Sequence, residues 1–202
     1  VTLLGALPTT LDELATQVRS CRACTDLPLG PRPILRVSTT ARILIASQAP
    51  GTKVHASGTP WTDQSGVRLR TWLGMSEAEF YDHSRIAILP MGLCYPGRLP
   101  AGGDCPPRPI CAPLWRKPLL DAMPQLELTL LVGSYAQADA LGPGRMTDRV
   151  RDYAQYAPRY FPLPHPSWRT GVWESRNPWF VSDVLPALRA RVAAVLVTYG
   201  AR

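Results

Sequence analysis

Long apolar runs are missing from this chain. None of its hydrophobic segments reaches the roughly 18–20 residues that a helix needs to cross a bilayer. The opening segment VTLLGALPTT has no basic stretch ahead of its apolar residues, so it makes a poor secretory signal. These absences point to a soluble cytoplasmic protein, where thiols stay reduced and five cysteines serve as ligands or core residues rather than as disulfides. No internal repeat, low-complexity tract or linker interrupts residues 1–202, which are read as one domain. A G-x-S-x-G elbow is absent, which counts against acyl transfer by a serine nucleophile. Gly51-Thr52-Lys53 invites a phosphate-loop reading, but that motif needs two glycines flanking four residues ahead of its lysine, and the spacing fails. Acidic residues are also short: 15 Asp and Glu face 22 Lys and Arg, for a net charge of +7 that favours a polyanionic partner such as nucleic acid or an anionic membrane surface. Arginine outnumbers lysine, which suits planar recognition of phosphate, although a GC-rich genome gives the same bias.

What is present reads as globular, with 46% hydrophobic and 18% charged residues. The 22 prolines cluster between apolar runs and predict long, stiff loops. Residues 9–21, TTLDELATQVRSC, open with a threonine cap and Glu13, then place Leu11, Leu14, Ala15 and Val18 on a helical stripe. ARILIAS (41–47), RIAILPMG (85–92), LELTLLVGS (126–134) and RYFPLP (159–164) are short apolar runs that predict buried parallel strands. Helices are expected at 67–74, closed by Gly74, at 76–82, capped by Ser76, around LWRKPLLDAM, and in SYAQADALG. A last helix from Asn177 to about Leu196 aligns Val181, Val184, Leu185, Leu188, Val192, Val195 and Leu196, with Pro186 as a kink or the true start. Strands alternating with helices predict an α/β fold: a three-layer α/β/α sandwich around a central four-stranded, mainly parallel sheet, with function at the strand C-termini.

Three segments could carry chemistry. SQAPGTKVHASGTPWTDQSG (47–66) follows the first strand with a tight Ala-Pro-Gly turn, then His55, Trp61 and Asp63, a set suited to a flat, hydrogen-bonding ligand or to an ordinary crossover with Trp61 in the core. Cys21 and Cys24 form C-x-x-C, while Cys94 and Cys111 frame a Pro/Gly-rich excursion that contains Cys105. Four such thiolates can hold a four-iron four-sulfur (4Fe-4S) cluster or a zinc ion, or can be buried unpaired cysteines, and Cys105 can replace Cys111. In PLPHPSWR (162–169), two prolines bracket His165, which suits a group held in line with a reacting atom, or a structural histidine on a turn. Ser167, Trp168 and Arg169 beyond it could face a duplex as aromatic wedge and phosphate fork.

Taken together, these segments resemble the uracil-DNA glycosylase superfamily from about Leu11 to the last helix. SQAPG (47–51) looks like its first motif, GTPWTDQSG (58–66) like its base-stacking segment, and PHPS (164–167) like the second motif, whose histidine acts on the base. Cys21, Cys24, Cys94 and Cys111 match the iron–sulfur families, often called four and five. The resemblance implies a DNA repair glycosylase, acting as a monomer, that flips uracil or a related deaminated base out of DNA, hydrolyses its N-glycosidic bond and leaves an abasic site. It gives Trp61 the stacking role, the segment Gln48, Ala49, Pro50 and Gly51 the polar edge of the base, and His165 the anion that develops on the departing base. Ser167, Trp168 and Arg169 would touch DNA, and the four cysteines would hold a 4Fe-4S cluster. Gln48 and Ala49 stand where related families carry a water-positioning acid or asparagine, so Asp63 is assigned that role, with Gln48 assisting and His55 in reserve. LPMGLC lacks the amide that reads uracil in some families, which opens the site to other deaminated bases. The alternative is a uracil- or abasic-DNA-binding protein on the same fold with little turnover.

Overall fold

The computed structural model describes residues 10–197, so the opening segment through Thr9 lies outside it. Four strands form the centre: β1 (Ile43–Ala46), β2 (Ile86–Ile88), β3 (Leu128–Val132) and β4 (Tyr160–Leu163). They lie in the order β2-β1-β3-β4 and every pairing is parallel. All residues of β1, β2 and β3 are buried, as expected where layers cover both faces of a parallel sheet. Pro162 is tolerated in β4 because that strand is an edge, where a missing N–H breaks no inner ladder. The other edge, at β2, is met by an antiparallel bridge between Arg36 and Ile88.

Alternation along β1 divides the core in two. Ile43 and Ile45 pack with Leu69, Trp72 and Leu73 of α3 (Gln64–Leu73), Phe80 of α4 (Glu77–Phe80), Val150 of α7 (Met146–Arg151) and Leu188 and Val192 of α9 (Leu185–Val197). Leu44 faces the other way, onto Leu11, Leu14 and Val18 of α1 (Leu11–Arg19) and Leu119 of α5 (Cys111–Asp121). Ala136 of α6 (Ser134–Leu141) packs against Ala46 and Leu131. The result is a three-layer sandwich. The α1 start is a capping box: Glu13 N–H donates to Thr10 Oγ1 at 3.2 Å and Thr10 N–H donates to Glu13 Oε2 at 3.1 Å. Such a cap contributes about 1 kcal/mol. None of the described helices is long and apolar enough to cross a membrane.

Several element boundaries differ from the sequence expectation. The expected helix from Asn177 is a π-helical turn (Phe180–Val184) that runs into α9. Pro186 is the reason: it has no N–H to donate, its ring crowds the preceding turn, and a widened turn accommodates both. Val181, expected on the apolar face, is 55% exposed. The helix expected at 67 starts three residues earlier because Asp63 caps it. The segment read as a polar loop between 47 and 66 contains α2 (Thr52–Ser57), and α7, a 3₁₀ turn (Tyr153–Tyr156) and α8 (Thr170–Arg176) were not foreseen. The chain leaves β1 for β2 on one side and reaches β3 on the other. The strand order therefore reverses beside β1, where α/β sheets open a crevice at their C-terminal edge.

Candidate active site

A cavity of about 420 Å³ opens at that edge, within the size range of small-ligand sites. Its floor is the segment after β1. Met91 N–H donates to Ser47 O at 2.8 Å and Gly92 N–H to Gln48 O at 2.9 Å, which continues the β1–β2 pairing past the strands and fixes the turn at its base. Ser47 through Thr52 all contribute to the lining. The Gln48 side chain turns away to tie down another segment, donating from Nε2 to Cys105 O at 2.9 Å.

One wall comes from residues 60–65. Trp61 is the one non-glycine residue with positive φ among the described residues, at 62°. Its carbonyl is driven into the first turn of α3, where Arg70 Nη1 donates to it at 3.2 Å, and Tyr81 Oη donates to the neighbouring Pro60 O at 2.8 Å. Gly66 is what permits this turn, since a β-carbon there would sit 1.7 Å from Trp61 O. The Trp61 ring is 7% exposed and belongs to the core, yet it still lines the cavity. Asp63 also lines the cavity, and its Oδ1 accepts from Gly66 N–H at 3.1 Å as the cap of α3.

His165 closes the opposite side. Pro164 and Pro166 are buried and His165 between them is exposed, so the prolines anchor the loop and present the imidazole to the cavity. Its carbonyl accepts from Ser167 N–H at 2.8 Å and from the Thr170 hydroxyl, while Arg68 Nη1 donates to Ser167 O at 2.9 Å. The His165 and Trp61 ring centroids are 5.7 Å apart and tilted by 32°. Protein packed around the imidazole desolvates it and lowers its pKa, with the Asp63 charge acting in the opposite sense. Behind it lies Gly133, whose φ of +85° suits glycine and whose virtual β-carbon would be in ordinary contact with His165 Cβ at 3.5 Å. Gln137, fully buried, donates from Nε2 to Leu163 O at 2.9 Å and to Leu131 O at 3.3 Å, clamping the ends of β3 and β4. Sequence reading missed Gln137, since a lone amide in SYAQADALG has no period or motif to mark it.

The profile of the Uracil DNA glycosylase superfamily matches residues 36–189. The chain belongs to that superfamily. Its members are DNA glycosylases, hydrolases that act on DNA, so DNA is the partner that membership implies.

In this superfamily member, Gln48, Ala49, Pro50, Gly51, Trp61, Asp63, His165, Ser167, Trp168 and Arg169 all line the one cavity. His55 does not. It lies on α2 with its ring edge-on to Tyr95 at 6.3 Å, and the carbonyls of His55 and Ala56 accept from Arg32. Trp168 is 79% exposed, with the Arg169 guanidinium 5.2 Å from its ring centroid. Two further lining residues, Arg98 and Asp104, went unseen in the sequence. They face each other in an antiparallel bridge that makes residues 97–105 a narrow tongue.

Cys21, Cys24, Cys94 and Cys111 line a second, smaller cavity at the roots of that tongue. Cys105 is not part of that lining and lies on the tongue itself, near Gly97. Trp115 Nε1 donates to Cys21 Sγ at 3.4 Å, Leu93 N–H donates to Cys111 Sγ at 3.3 Å, and the Arg32 backbone N–H bonds the Cys94 sulfur. Burial pushes the Cys94 thiol up to about 11, against the lowering effect of that bond. Among the described residues, no three His, Cys, Asp or Glu side chains converge closely enough to hold a single metal ion.

Proposed function

We propose that the protein hydrolyses the N-glycosidic bond of uracil or a related deaminated base in DNA. The observation that carries this reading is convergence: three segments remote in sequence, 47–51, 61–63 and 165–169, line one cavity at the strand C-termini. A base inside a duplex is out of reach, so the nucleotide is flipped into the cavity. Trp61 and His165 touch one another, so the base lies against this pair rather than between the rings. Breaking the C1′–N bond sends its electron pair to the base and leaves positive charge on the sugar. His165, whose pKa desolvation lowers, donates an N–H to the anion that builds on the base. Asp63 lies on the same cavity and favours the cationic sugar electrostatically. Trp168 and Arg169, exposed at the mouth, contact the strand that flanks the flipped nucleotide.

Cys21, Cys24, Cys94 and Cys111 are proposed to hold a 4Fe-4S cluster. Four thiols on one cavity, three of them already accepting N–H donors, fit a cubane, which spreads its thiolates wider than the tetrahedron around one zinc ion. Such a cluster would supply a structural anchor for the segments that carry the cysteines.

The test is release of uracil, hypoxanthine or xanthine from single-stranded oligonucleotides by wild type and His165→Ala. Alkali-labile scission at one of these bases, lost in the variant, is expected; no release from any of them would sink the reading. A second reading is a uracil- or abasic-DNA-binding protein with little turnover. It draws on the engagement of Gln48 Nε2 by Cys105 O and of Asp63 Oδ1 by Gly66 N–H, which commits both groups assigned to water. Tight binding of these oligonucleotides without release would favour it.

A further inference from the structure

We propose that Asp104, on the tongue between Cys94 and Cys111, is the carboxylate that orients and deprotonates the attacking water. This rests on the glycosylase reading above. That reaction needs a base on the side of the sugar opposite the departing nucleobase. The cavity has two ends that fit the two tasks. Trp61, buried Ser47 and Pro50 define the inner end, while Arg98, Gly103, Asp104, Trp168 and Arg169 are all exposed and define the mouth. A base held inside leaves C1′ at the mouth, beside Asp104.

The carboxylate is also free. Asp63 spends Oδ1 on the α3 cap. Among the described residues no hydrogen bond or ion pair holds the Asp104 carboxylate, whose Oδ2 lies 3.4 Å from where a β-carbon on Gly51 would be. Gly51 thus keeps open the ground between the carboxylate and the turn after β1. The backbone under Asp104 is cross-braced by hydrogen bonds, as a group that must meet a reacting atom requires. Leu99 N–H donates to Gly103 O at 2.9 Å, Cys105 N–H donates to Gly97 O at 2.9 Å, and Gln48 clamps Cys105 O. Gly102 and Gly103, both at φ +90°, turn the tip so that the chain can return on itself. Partial desolvation of the Asp104 carboxylate by the cavity wall lifts its pKa, Arg98 opposes this and Asp63 adds to it, which moves the group toward a better base at neutral pH. Tyr95, whose own pKa the Asp104 charge helps to raise, also faces it, and His165 and Arg169 share the cavity.

In the step, the C1′–N bond breaks with its electron pair going to the base. The water oxygen bonds to C1′, and its proton passes to Asp104 and from there to solvent or the released base. One water is consumed, nothing is oxidised, and the products are the free base and an abasic sugar.

The experiment is single-turnover base release by wild type, Asp104→Asn, Asp104→Ala and Asp63→Asn from acid to alkaline pH, with melting temperature and oligonucleotide affinity measured alongside. Asp104→Asn should slow the chemical step by about 10²–10⁴-fold, with affinity unchanged and the acid limb of the pH–rate profile gone. Added formate should restore part of the rate to Asp104→Ala and none to His165→Ala, a response that a purely structural role would not give. Wild-type rates in Asp104→Asn, or an acid limb that disappears with Asp63→Asn instead, would overturn the assignment while leaving the glycosylase reading intact. Failure of wild type to release any base would remove both.

Discussion

Gly66 offers the sharpest test of how the site is built. It sits in the first turn of α3, where alanine ordinarily gains about 1 kcal/mol over glycine from helix propensity. Here a β-carbon would lie 1.7 Å from Trp61 O and 2.9 Å from Trp61 Cβ, the first being about half an ordinary contact distance. The obstacle is backbone, so no side chain can swing aside. Either α3 shifts or the Trp61 carbonyl withdraws from Arg70 Nη1, 3.2 Å away. Overpacking of this kind costs about 1–3 kcal/mol and loss of a charged hydrogen bond adds to it, so Gly66→Ala should be destabilised by about 2–3 kcal/mol net. In a chain of this size that is a fall in melting temperature of roughly 5–10 °C. Gly171 is the control, a first-turn glycine of α8 with nothing within 4 Å of its virtual β-carbon. Gly171→Ala should be neutral or stabilising by up to about 1 kcal/mol. Thermal denaturation of both variants decides the matter. If Gly66→Ala melts at or above the wild-type temperature, the close approach of Trp61 to α3 is not what fixes this wall.

Other outcomes follow from the same geometry. His165 should titrate below an ordinary imidazole by nitrogen NMR, and Asp63→Asn should lower it further, because the Asp63 charge is what opposes desolvation. The folded state then resists protonation more than the unfolded chain does. The stability linked to His165 is full above about pH 6.5 and is lost as pH falls through the depressed folded value, a slope that His165→Asn should flatten; a normal or raised pKa refutes this. Cys94→Ser and Cys111→Ser should lose iron and visible absorbance after anaerobic reconstitution, while Cys105→Ser keeps both; equal loss in all three would return Cys105 to the ligand set. Trp168→Ala should leave melting unchanged within about 0.5 kcal/mol, since the ring is 79% exposed, yet weaken single-strand binding by about 1–3 kcal/mol in a filter-binding assay. Unaltered affinity would take Trp168 out of the DNA interface.

The parts of the fold that read well from sequence are those where local pattern and burial agree. ILIA, IAI and LTLLV are buried throughout, and the capping box of α1 announces itself in Thr10 and Glu13. The segments carrying His165, Trp61 and the 47–51 turn were also visible, because proline, glycine and aromatic residues at odd places mark constrained loops. What stayed hidden depends on contacts across the chain. Val181 has the right spacing for the core and is exposed because the π turn before Pro186 rotates it outward. The placement of His55 depends on the short helix α2, which a polar six-residue segment does not advertise. Asp104 stands in a Gly-rich segment with no motif or period to mark it. Only the bridge to Arg98 and the proximity to Gly51 bring its carboxylate to the cavity.

The tongue also joins the two cavities, and its composition explains why it needs outside support. Residues 98–101, 103 and 104 are exposed, so the segment buries too little apolar surface to hold its own shape against chain entropy. Support comes from its ends and from one side chain. Cys94 and Cys111 stand at its roots on the cysteine cavity, and Gln48 bonds Cys105 O from the floor of the other. Between them, Gly92 lets the return limb close in, since a β-carbon there would sit 2.9 Å from Pro107 Cβ and 3.4 Å from Ala49 Cβ. A tongue fixed in this way carries any displacement at its roots to Asp104 and Arg98 at the cavity mouth, while α3 and α9, packed on the opposite face of the sheet, stay in place. Weakening the thiol anchor should therefore cost base release before it costs global stability. Cys94→Ser should lose activity at temperatures well below the onset of its own melting, whereas coincident loss of the two would mean that the cysteines support the whole fold rather than the tongue.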